Sequence, residues 1–455
     1  MAERQHAGDY RILNFDVYSH RHQEKINIAQ HVDELEIYEN INNPYLTGTF
    51  SMKDDMRFYD GVGINGTEVI EITLESPENP ANTILRRFSI VKITSTAKAA
   101  DNIEVLEIKI AENSLFNNNL MQINKVYSGT PDIIVAKILK DNLNLDVDLP
   151  LVKPYQKSLK VVIPYMTPFD AALWVCSMMS TRLGLPYFLF ATLNDVPESS
   201  EVPKGVNIQL KSLEEMLRNP AWNKNSPYRF SASYNQATST LASDNNMFNV
   251  GAYSGFNKEN VFSLMASGST AGLHSITDAT TGQLIDYHFD VDTLFKSLSD
   301  MEIIDTDHEP VFHSKYDFNG KPMNEYNTFN SHIIVSNQTY NGISNIYEET
   351  STGAYRLHAC KNALQNMIMK SSINIRVPGI MFMTGYNASI GRQIDFIYPA
   401  NNTNIRSQST VSDEDTVDRM RSGTYVIYTA RHHFNNTQHN VDMSCVKLGN
   451  RKVRG

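Results

Sequence analysis

Hydrophobic and polar residues alternate along the first quarter of the chain. The runs YRILNFDVYS, VDELEIYENI and GTFSMKDD lie between residues 10 and 55, and EVIEITL, FSIVKITS and IEVLEIKIAE continue the alternation to about residue 112. A period of two with turn residues between the runs is typical of antiparallel strands. The pattern therefore predicts one antiparallel β-barrel or sandwich over residues 1–115.

The hydrophobic period then changes to a helical one. Thr130 is an N-cap residue and Pro131 takes the first helical position of PDIIVAKILKDNL, whose apolar residues lie along one face. Pro168 opens a second helix in the same way, and the strand-like runs LKVVIPY and PYFLFAT flank it. SLEE at residues 212–215 is a capping box for a short third helix. These signals predict a small α/β domain over residues 116–218.

The second half of the chain has a weaker pattern. Strand-like runs such as YRFSASY and QLIDYHFDV alternate with Gly, Ser and Asn, and a helix is predicted for ACKNALQNMIMK near residue 360. Clear strand alternation returns after that helix, interrupted by the polar loop ANNTNIRSQSTVSDEDTVDRMRSG. We interpret residues 219–360 as a mixed β-rich segment, part second barrel and part insertion. Residues 361–455 are predicted to form the main part of the second barrel.

Residues 61–66 spell Gly-x-Gly-x-x-Gly, the fingerprint of a dinucleotide-binding loop. That loop works only when a helix follows it, because the pyrophosphate binds the amides at the helix N-terminus. Here the run TEVIEITLESP follows, which alternates like a strand and reaches Pro77 without a helical segment. The context favours a glycine-rich turn between two strands and predicts no cofactor.

Four strands of the first barrel recur in the same order near the C-terminus. YLTGTFSM resembles RVPGIMFM, NGTEVIEITL resembles IGRQIDFIYP, FSIVKIT resembles YVIYTAR, and NIEVLEIKIAEN resembles NVDMSCVKLGN. The ordered series predicts a duplicated barrel. The residue pairs that this alignment matches are Gly48 with Gly379, Met52 with Met383, Gly66 with Gly391, Val69 with Ile394, Ile72 with Ile397 and Phe88 with Tyr425.

Charge and composition exclude several classes of function. The formal net charge is -10 and no basic run precedes the short tail RKVRG, so we expect no sequence-specific binding of nucleic acid. The three cysteines lie far apart, which fits a reducing compartment and neither a disulfide framework nor a zinc knuckle. Neither a secretory signal nor an apolar span is present, so we expect a protein made in soluble form without membrane insertion.

Several polar clusters contain residue types that can bind metals or catalyse reactions. The run DTDHEPVFH contains potential metal ligands without the spacing of a known metal motif, and a solvated loop is the favoured interpretation. Histidines in SHRH and RHHF are expected to lie on the surface or on a tube-facing side. No nucleophile elbow is present, and sequence cannot select a pair of carboxylates for glycoside hydrolysis. We therefore expect no enzymatic activity and no metal. The residues concerned are Asp305, Asp307, His308, Glu309, His313, His20, His22, His432 and His433.

With these motifs in view, the chain resembles the baseplate hub proteins of contractile-tailed bacteriophages, a family related to the N-terminal half of type VI secretion spike proteins. LEIYENINNPYLTGTFSMKDD and GINGTEVIEITL look like the family's first barrel, and VIPYMTPFDAALWVCSMM with LPYFLF looks like its α/β domain. The resemblance implies a mainly β fold with α+β parts: two similar tail-tube-like barrels, a small α/β domain between them and an inserted mixed domain. The expected turn and barrel positions are Pro44, Gly48, Gly66, Glu68, Pro168, Gly379 and Gly391.

The resemblance also implies a structural virion protein. Three chains with two barrels each would form a ring of six barrels that joins a threefold spike to the sixfold tail tube and initiates the tube, around a channel for DNA. The expected partners are the chain itself as a homotrimer, a separate central spike protein, the tail tube or tube-initiator protein, baseplate wedge proteins and a tape measure protein. The expected location is the tail baseplate of the virion after assembly in the host cytoplasm, and an acidic lumen is a further hypothesis. Two alternatives stay open: a tail-associated enzyme that degrades peptidoglycan or polysaccharide, and the hub of a secretion-type contractile machine.

Overall fold

The structure is a computed structural model that describes most of the chain. The described residues are 8–19, 25–55, 57–75, 83–100, 103–155, 159–196, 205–230, 248–257, 261–278, 284–305, 308–310, 317–322, 330–335, 352–368, 371–379, 390–400, 417–418, 420–435 and 438–451.

Strands dominate the described residues. They are β1 (Arg11–Tyr18), β2 (Ile26–Asn27), β3 (Val32–Asn40), β4 (Thr47–Asp54), β5 (Val69–Glu75), β6 (Thr83–Ala100), β7 (Ile103–Glu112), β8 (Val126–Gly129), β9 (Val147–Asp148), β10 (Leu159–Val162), β11 (Tyr187–Ala191), β12 (Ile208–Ser212), β13 (Tyr228–Phe230), β14 (Asn249–Val250), β15 (Ala252–Asn257), β16 (Ala271–Asp278), β17 (Leu284–Asp290), β18 (His308–Pro310), β19 (Asp317–Phe318), β20 (Lys321–Pro322), β21 (Asn330–Val335), β22 (Ser371–Pro378), β23 (Gln393–Ile397), β24 (Gly423–Asn435), β25 (His439–Val446) and β26 (Gly449–Arg451).

Helices are fewer and mostly short. They are α1 (Asn113–Asn119), α2 (Pro131–Leu143), α3 (Pro168–Met178), α4 (Leu213–Arg218), α5 (Val261–Ala266), α6 (Val291–Asp300) and α7 (Thr352–Ile368), together with one π-helical turn at Tyr59–Gly63. Among the described residues, no helix is both long enough and apolar enough to cross a membrane.

One sheet of fourteen strands forms the frame of the molecule. Its main path runs β14-β13-β23-β24-β3-β4-β7-β6-β5-β1-β2, and β25, β22 and β15 extend from β24 in that order. All six alternating runs of the N-terminal region form strands, namely β1, β3, β4, β5, β6 and β7. The predicted fold class, mainly β with two similar barrels and added α/β parts, is confirmed.

The first barrel is formed by β1 to β7. Its strands bury one face each, and side chains such as Phe15, Phe50 and Phe88 meet in a core where each is at most 1% exposed. Helices α2 and α3 contribute buried residues, including Ile134 and Phe169, to the same apolar cluster. The first barrel and the α/β segment therefore share one continuous core.

The second barrel is formed by β13 to β15 and β22 to β25. Its core includes Tyr228, Phe396 and Tyr425. One edge of this barrel departs from the predicted antiparallel pairing, because β13 runs parallel to both β23 and β14. Strand β13 enters after α4 rather than through a hairpin with β23, and only a tight hairpin would impose antiparallel pairing.

The helix signals of the α/β segment are confirmed. Helix α2 begins at Pro131 after Thr130, and α3 begins at Pro168 after Thr167, whose hydroxyl accepts the N–H of Asp170 at 3.3 Å. Ser212 caps α4 by accepting the N–H of Glu215 at 3.1 Å. The Glu215 carboxylate accepts from the N–H of Leu151 instead of completing the predicted capping box.

The region after β15 contains a small sheet of its own. Strand β16 pairs with β17 and with β21, and α6 follows β17 directly. Helix α6 was not predicted, although its signal is present in the sequence: Asp290 is the N-cap, accepting the N–H of Thr293 at 3.3 Å. The buried residues after this cap recur at helical spacing: Val291, Leu294, Phe295 and Leu298.

Candidate functional site

The two barrels repeat one order of strand pairing. In the first barrel β5 pairs with β6, β6 with β7, β7 with β4 and β4 with β3, all antiparallel. In the second barrel β23, β24, β25, β22 and β15 pair in the corresponding order, also antiparallel. Both series contain a bulge at the same point, after Ile90 in β6 and after Ile427 in β24. The predicted duplication is therefore present in the pairing of the strands.

Pairing in the structure corrects the predicted correspondence of residues. Phe88 pairs with Ile70 as Tyr425 pairs with Ile394, so the match of Phe88 with Tyr425 is confirmed and Ile394 corresponds to Ile70 instead of Val69. The sequence could not choose between these neighbours because Val69 and Ile70 are both apolar.

The predicted match between Gly48 and Gly379 is also wrong. Gly48 pairs with Ile110, and the corresponding pair in the second barrel joins Ile373 to Cys445. An alternating strand can slide by an even number of residues and keep its apolar face, so this register is weakly encoded in the sequence. Met383 lies outside the described residues.

Strand β24 joins the two barrels into one surface. Its first residues pair with β23, whereas Thr429 to Asn435 pair with β3 from Asn40 back to Glu34. Eight strands thus lie side by side in the order β15-β22-β25-β24-β3-β4-β7-β6. We call this set the continuous sheet. One of its faces packs on the two cores, and the other face is polar.

Ion pairs between neighbouring strands cover the polar face where the two barrels meet. Arg431 of β24 donates to the Glu36 carboxylate of β3, and Tyr38 donates its hydroxyl to the same carboxylate. On the other side Arg376 of β22 binds Asp442 of β25 through two nitrogens, at 2.6 and 2.7 Å. Burial alone would raise the pKa of Glu36, but the hydrogen bonds from Arg431 and Tyr38 outweigh it and lower that pKa.

The side chains of Glu34, Glu36 and His433 come together on this face. Their potential metal-ligand atoms, one from each residue, lie within 4.8 Å of one another. His433 contacts the Glu34 carboxylate, and Glu36 is bound by Arg431 and Tyr38. Both carboxylates therefore have partners from the chain itself. The arrangement fits a cross-strand ion-pair network better than a metal site.

A second cluster of polar residues lies on the buried side of the same junction. His432, which was expected on the surface or on a tube-facing side, is 0% exposed, as is His439. His432 Nδ1 lies 3.2 Å from His439 Nε2, and His432 Nε2 lies 3.3 Å from a Glu39 carboxylate oxygen. Glu39 also accepts the backbone N–H of Leu193, which ties the junction to the α/β segment. The prediction was wrong for His432 because its side chain lies on the core-facing side of β24 between the buried Ala430 and Phe434. The half-buried His433 points to the polar face.

The glycine-rich loop between β4 and β5 is held by carboxylates at both ends. At its start the buried Asp54 accepts the N–H groups of Phe58 and Tyr59 at 2.6 and 3.0 Å. The π-helical turn follows, and β5 begins at Val69. The predicted strand after the glycines is therefore confirmed, and within the described residues 57–75 no helix begins after the glycines to present its N-terminal amides to a phosphate.

Glu68 closes the other end of that loop. Its carboxylate accepts the N–H of Asn65 at 3.0 Å and of Gly66 at 2.9 Å, and the residue is 1% exposed. Gly66 has a φ of 91°, a backbone conformation that favours glycine.

Pro44 is buried in the turn between β3 and β4. Gly48 in β4 lies so close to Glu36 that an added Cβ would be 2.5 Å from the Glu36 carbonyl oxygen.

Two of the three remaining sequence-selected positions, Gly379 and Gly391, lie at close contacts. Pro168 is the first residue of α3. Gly379 donates its N–H to the carbonyl of His439 at 2.8 Å, and a Cβ there would overlap the His439 ring. Gly391 has a φ of 80° and packs beside Phe190, so the second barrel meets the α/β segment there.

Gln393 strengthens the same contact with α4, a role that sequence reasoning missed. Its amide nitrogen lies 2.8 Å from the carbonyl oxygen of Met216, 2.7 Å from that of Leu217 and 3.0 Å from that of Asn219, at the C-terminal end of α4. A buried glutamine at the start of a strand carries no local signal of this partner, because α4 lies far away in the sequence.

The acidic and histidine-rich run after α6 is only partly described. His308 Nδ1 lies 3.9 Å from a carboxylate oxygen of Asp305, whose side chain is 80% exposed. Glu309 lies in β18, and its side chain is outside the described residues, as are Asp307, His313, His20 and His22. The described part does not bring these residues together into a site.

Comparison with known proteins identifies the fold. Neither a protein-family model nor a curated protein sequence matches the chain. Among solved structures, the tail protein from Neisseria meningitidis MC58 matches with a TM-score of 0.50 and 11% sequence identity, covering 96% of this chain and 96% of that chain. The 43 kDa tail protein of prophage MuSo2 from Shewanella oneidensis matches with a TM-score of 0.47 and 9% identity, covering 96% of this chain and 98% of that chain.

A secretion-system component is similar at a lower score. The E. coli c3393 protein, a component of the type VI secretion system, matches with a TM-score of 0.42 and 8% identity, covering 98% of this chain and 79% of that chain. The likeness to the Neisseria protein shows that this chain has the fold of a tail protein. This shared fold agrees with the expected resemblance to phage tail proteins.

Proposed function

We propose that this protein is the central hub of a contractile-tail baseplate and that it acts as a homotrimer. The observation that carries the proposal is the duplicated barrel, whose two copies are joined by β24 and β3 into one continuous sheet. One chain then offers two similar surfaces to a neighbour. A trimer of such chains has six similar barrels and can join a threefold spike to a sixfold tube.

The polar face of the continuous sheet lines the channel in this proposal. Along the strands that cross the junction, the acidic side chains Glu34, Glu36 and Asp442 lie among Arg376, Arg431 and His433. At this junction Arg376 and Arg431 bind Asp442 and Glu36, so this part of the wall is closer to charge balance than the acidic lumen that we hypothesised. Because the charges bind one another, they offer few free cations to phosphate groups, so DNA would pass without a strong binding site.

The proposed partners are a central spike protein, the tail tube or tube-initiator protein, wedge proteins of the baseplate and a tape measure protein. The proposed location is the tail baseplate of a virion, assembled in the host cytoplasm, and the hub would initiate the tube. The domain boundaries at residues 115, 218 and 360 remain part of the proposal. We infer a structural role without catalysis, because the paired carboxylates of the described residues are engaged in ion pairs and turns.

The mass of the purified chain in solution tests the proposal. Light scattering after size exclusion should give three times 51.5 kDa, and electron microscopy should show a ring with a central channel. A monomer at micromolar concentration would contradict the hub. Release of soluble fragments from purified peptidoglycan or capsular polysaccharide would support the enzymatic alternative instead.

A further inference from the structure

The two outer edges of the continuous sheet have no strand partner in the part of the chain that the structure describes. Strand β6 pairs with β5 only up to Ser89, so from Lys92 onward it pairs with β7 alone. Strand β15 pairs with β22 alone. Unpaired edges of this length are templates for pairing with another chain. These two edges define the ends of the continuous sheet.

Each unpaired edge corresponds to an edge that is paired inside the chain. By the order of pairing, β6 corresponds to β24 and β15 corresponds to β3. Strand β24 pairs with β3. We propose that β6 of one copy pairs antiparallel with β15 of the next copy, which repeats the β24–β3 junction between chains. This inference rests on the proposed homotrimeric hub and specifies its contact.

The burial of the side chains agrees with this pairing. Lys92 and the residues from Thr94 to Ala99 in β6 are exposed, whereas in β24 Ala430, His432 and Phe434 are buried at the junction. Val91, which is 59% exposed, follows the Ile90 bulge as Tyr428 follows Ile427. A neighbour's β15 would cover this exposed stretch.

The internal junction also predicts the register between copies. His433 pairs with Glu36 in the chain. Pairing along β7 and β25 makes Ala97 the counterpart of His433, because Ala97 is opposite Val105 as His433 is opposite Asn440. Pairing along β4 and β22 makes Ser254 the counterpart of Glu36. Ala97 of one copy should therefore lie opposite Ser254 of the next.

The chemistry of the two edges suits such a contact. The stretch Ser95–Ala97 of β6 has small side chains and contains no proline, so the backbone of a second chain can approach it closely. Lys92 and Lys98 flank them, and lysine on an edge strand opposes unspecific aggregation. The closed ring would remove both edges at once, since every β6 would have a β15 partner.

Cysteine cross-linking of the full chain tests the register. Ala97→Cys with Ser254→Cys should give covalent dimers and trimers on a denaturing gel after mild oxidation or treatment with a short bismaleimide. The native Cys176, Cys360 and Cys445 are buried, so they should contribute little to this reaction. The matched control, Val91→Cys with Ser254→Cys, moves one thiol six residues along β6, which is roughly 15 Å because β6 contains bulges in this stretch. At least tenfold less cross-linked product is expected from the control.

The outcomes separate this inference from the hub proposal. A trimeric mass, together with the predicted cross-link and little cross-linked product from the control pair, supports both the hub proposal and the β6–β15 pairing. A trimeric mass without the cross-link, or with equal cross-linking in the control, overturns the β6–β15 pairing and leaves the hub in place. A monomer with no cross-link overturns both. Thermal unfolding of each variant must match the parent, which excludes cross-links formed by misfolded chains.

Discussion

Gly66 donates its backbone N–H to the carboxylate of Glu68 at 2.9 Å. The same carboxylate accepts the N–H of Asn65, and Asp54 binds two backbone N–H groups at the other end of the loop. A dinucleotide-binding loop would present such N–H groups to phosphate. Here acidic side chains of the protein itself take that place, so the glycine motif serves the fold.

Replacement of Glu68 by glutamine should destabilise the protein. Glu68→Gln removes a charged acceptor from two part-buried backbone N–H groups, and a hydrogen bond to a charged group contributes about 1.5–3 kcal/mol. The free energy of unfolding should fall by that amount in urea titrations. Glu104→Gln, at an exposed position of β7, is the control and should change it by less than about 0.5 kcal/mol. Equal effects of the two variants would show that the loop does not depend on Glu68.

A side chain at Gly66 should strain the backbone. At a φ of 91° a β-branched residue is unfavourable, so Gly66→Val should lower the free energy of unfolding by about 1–3 kcal/mol and reduce assembly. Gly61→Val is the matched change in the same loop, where an added Cβ meets nothing within 4 Å. Circular dichroism during thermal unfolding would measure the stability of the two variants. A Gly66→Val protein as stable as the parent would contradict the importance of this turn.

Gly379 should tolerate no Cβ while His439 is present. The added carbon would overlap the His439 ring, and overpacking of this kind costs about 1–3 kcal/mol. The expected result is a large effect of Gly379→Ala in the parent and a smaller one in a His439→Ala background. A double-mutant cycle measures this coupling. Strict additivity would mean that the two residues do not contact each other.

Acidic pH should lower the free energy of unfolding because the folded protein buries His439. Burial, with smaller contributions from His432 and His433, lowers the pKa of His439 well below 6.5. The unfolded chain therefore binds a proton below about pH 6.5 that the folded chain excludes, and the free energy of unfolding falls as the pH decreases. The slope can reach about 1.4 kcal/mol per pH unit for this group. Stability is retained above this range.

Urea titrations between pH 7.5 and 5.5 would show whether the free energy of unfolding falls as the pH decreases. His439→Gln should flatten the pH dependence, whatever it does to stability at pH 7.5. His288→Gln, at an exposed position of β17, should leave the slope of the parent. A His439→Gln protein with an unchanged slope would assign the pH dependence to other groups.

Local elements of this protein follow from its sequence. Period-two alternation is sufficient for β1 and β3 to β7, and Thr130 with Pro131 is sufficient for the start of α2. The strand that follows the Gly61–Gly66 motif is likewise encoded nearby. These features depend on neighbours within a few residues, where sterics and capping act directly. The missed helix α6 belongs with them, since its N-cap and apolar spacing are local.

Only the tertiary structure decided how distant strands meet. The pairing of β24 with β3, the burial of His432 and the contact of Gln393 with α4 join residues separated by more than 150 positions. Alternation determines which face of a strand is apolar, but it leaves both the partner and shifts of two residues nearly free. The order of the repeated strands was therefore visible in the sequence. Their register, and the continuous sheet that joins the two barrels, depend on cores that form only in the folded chain.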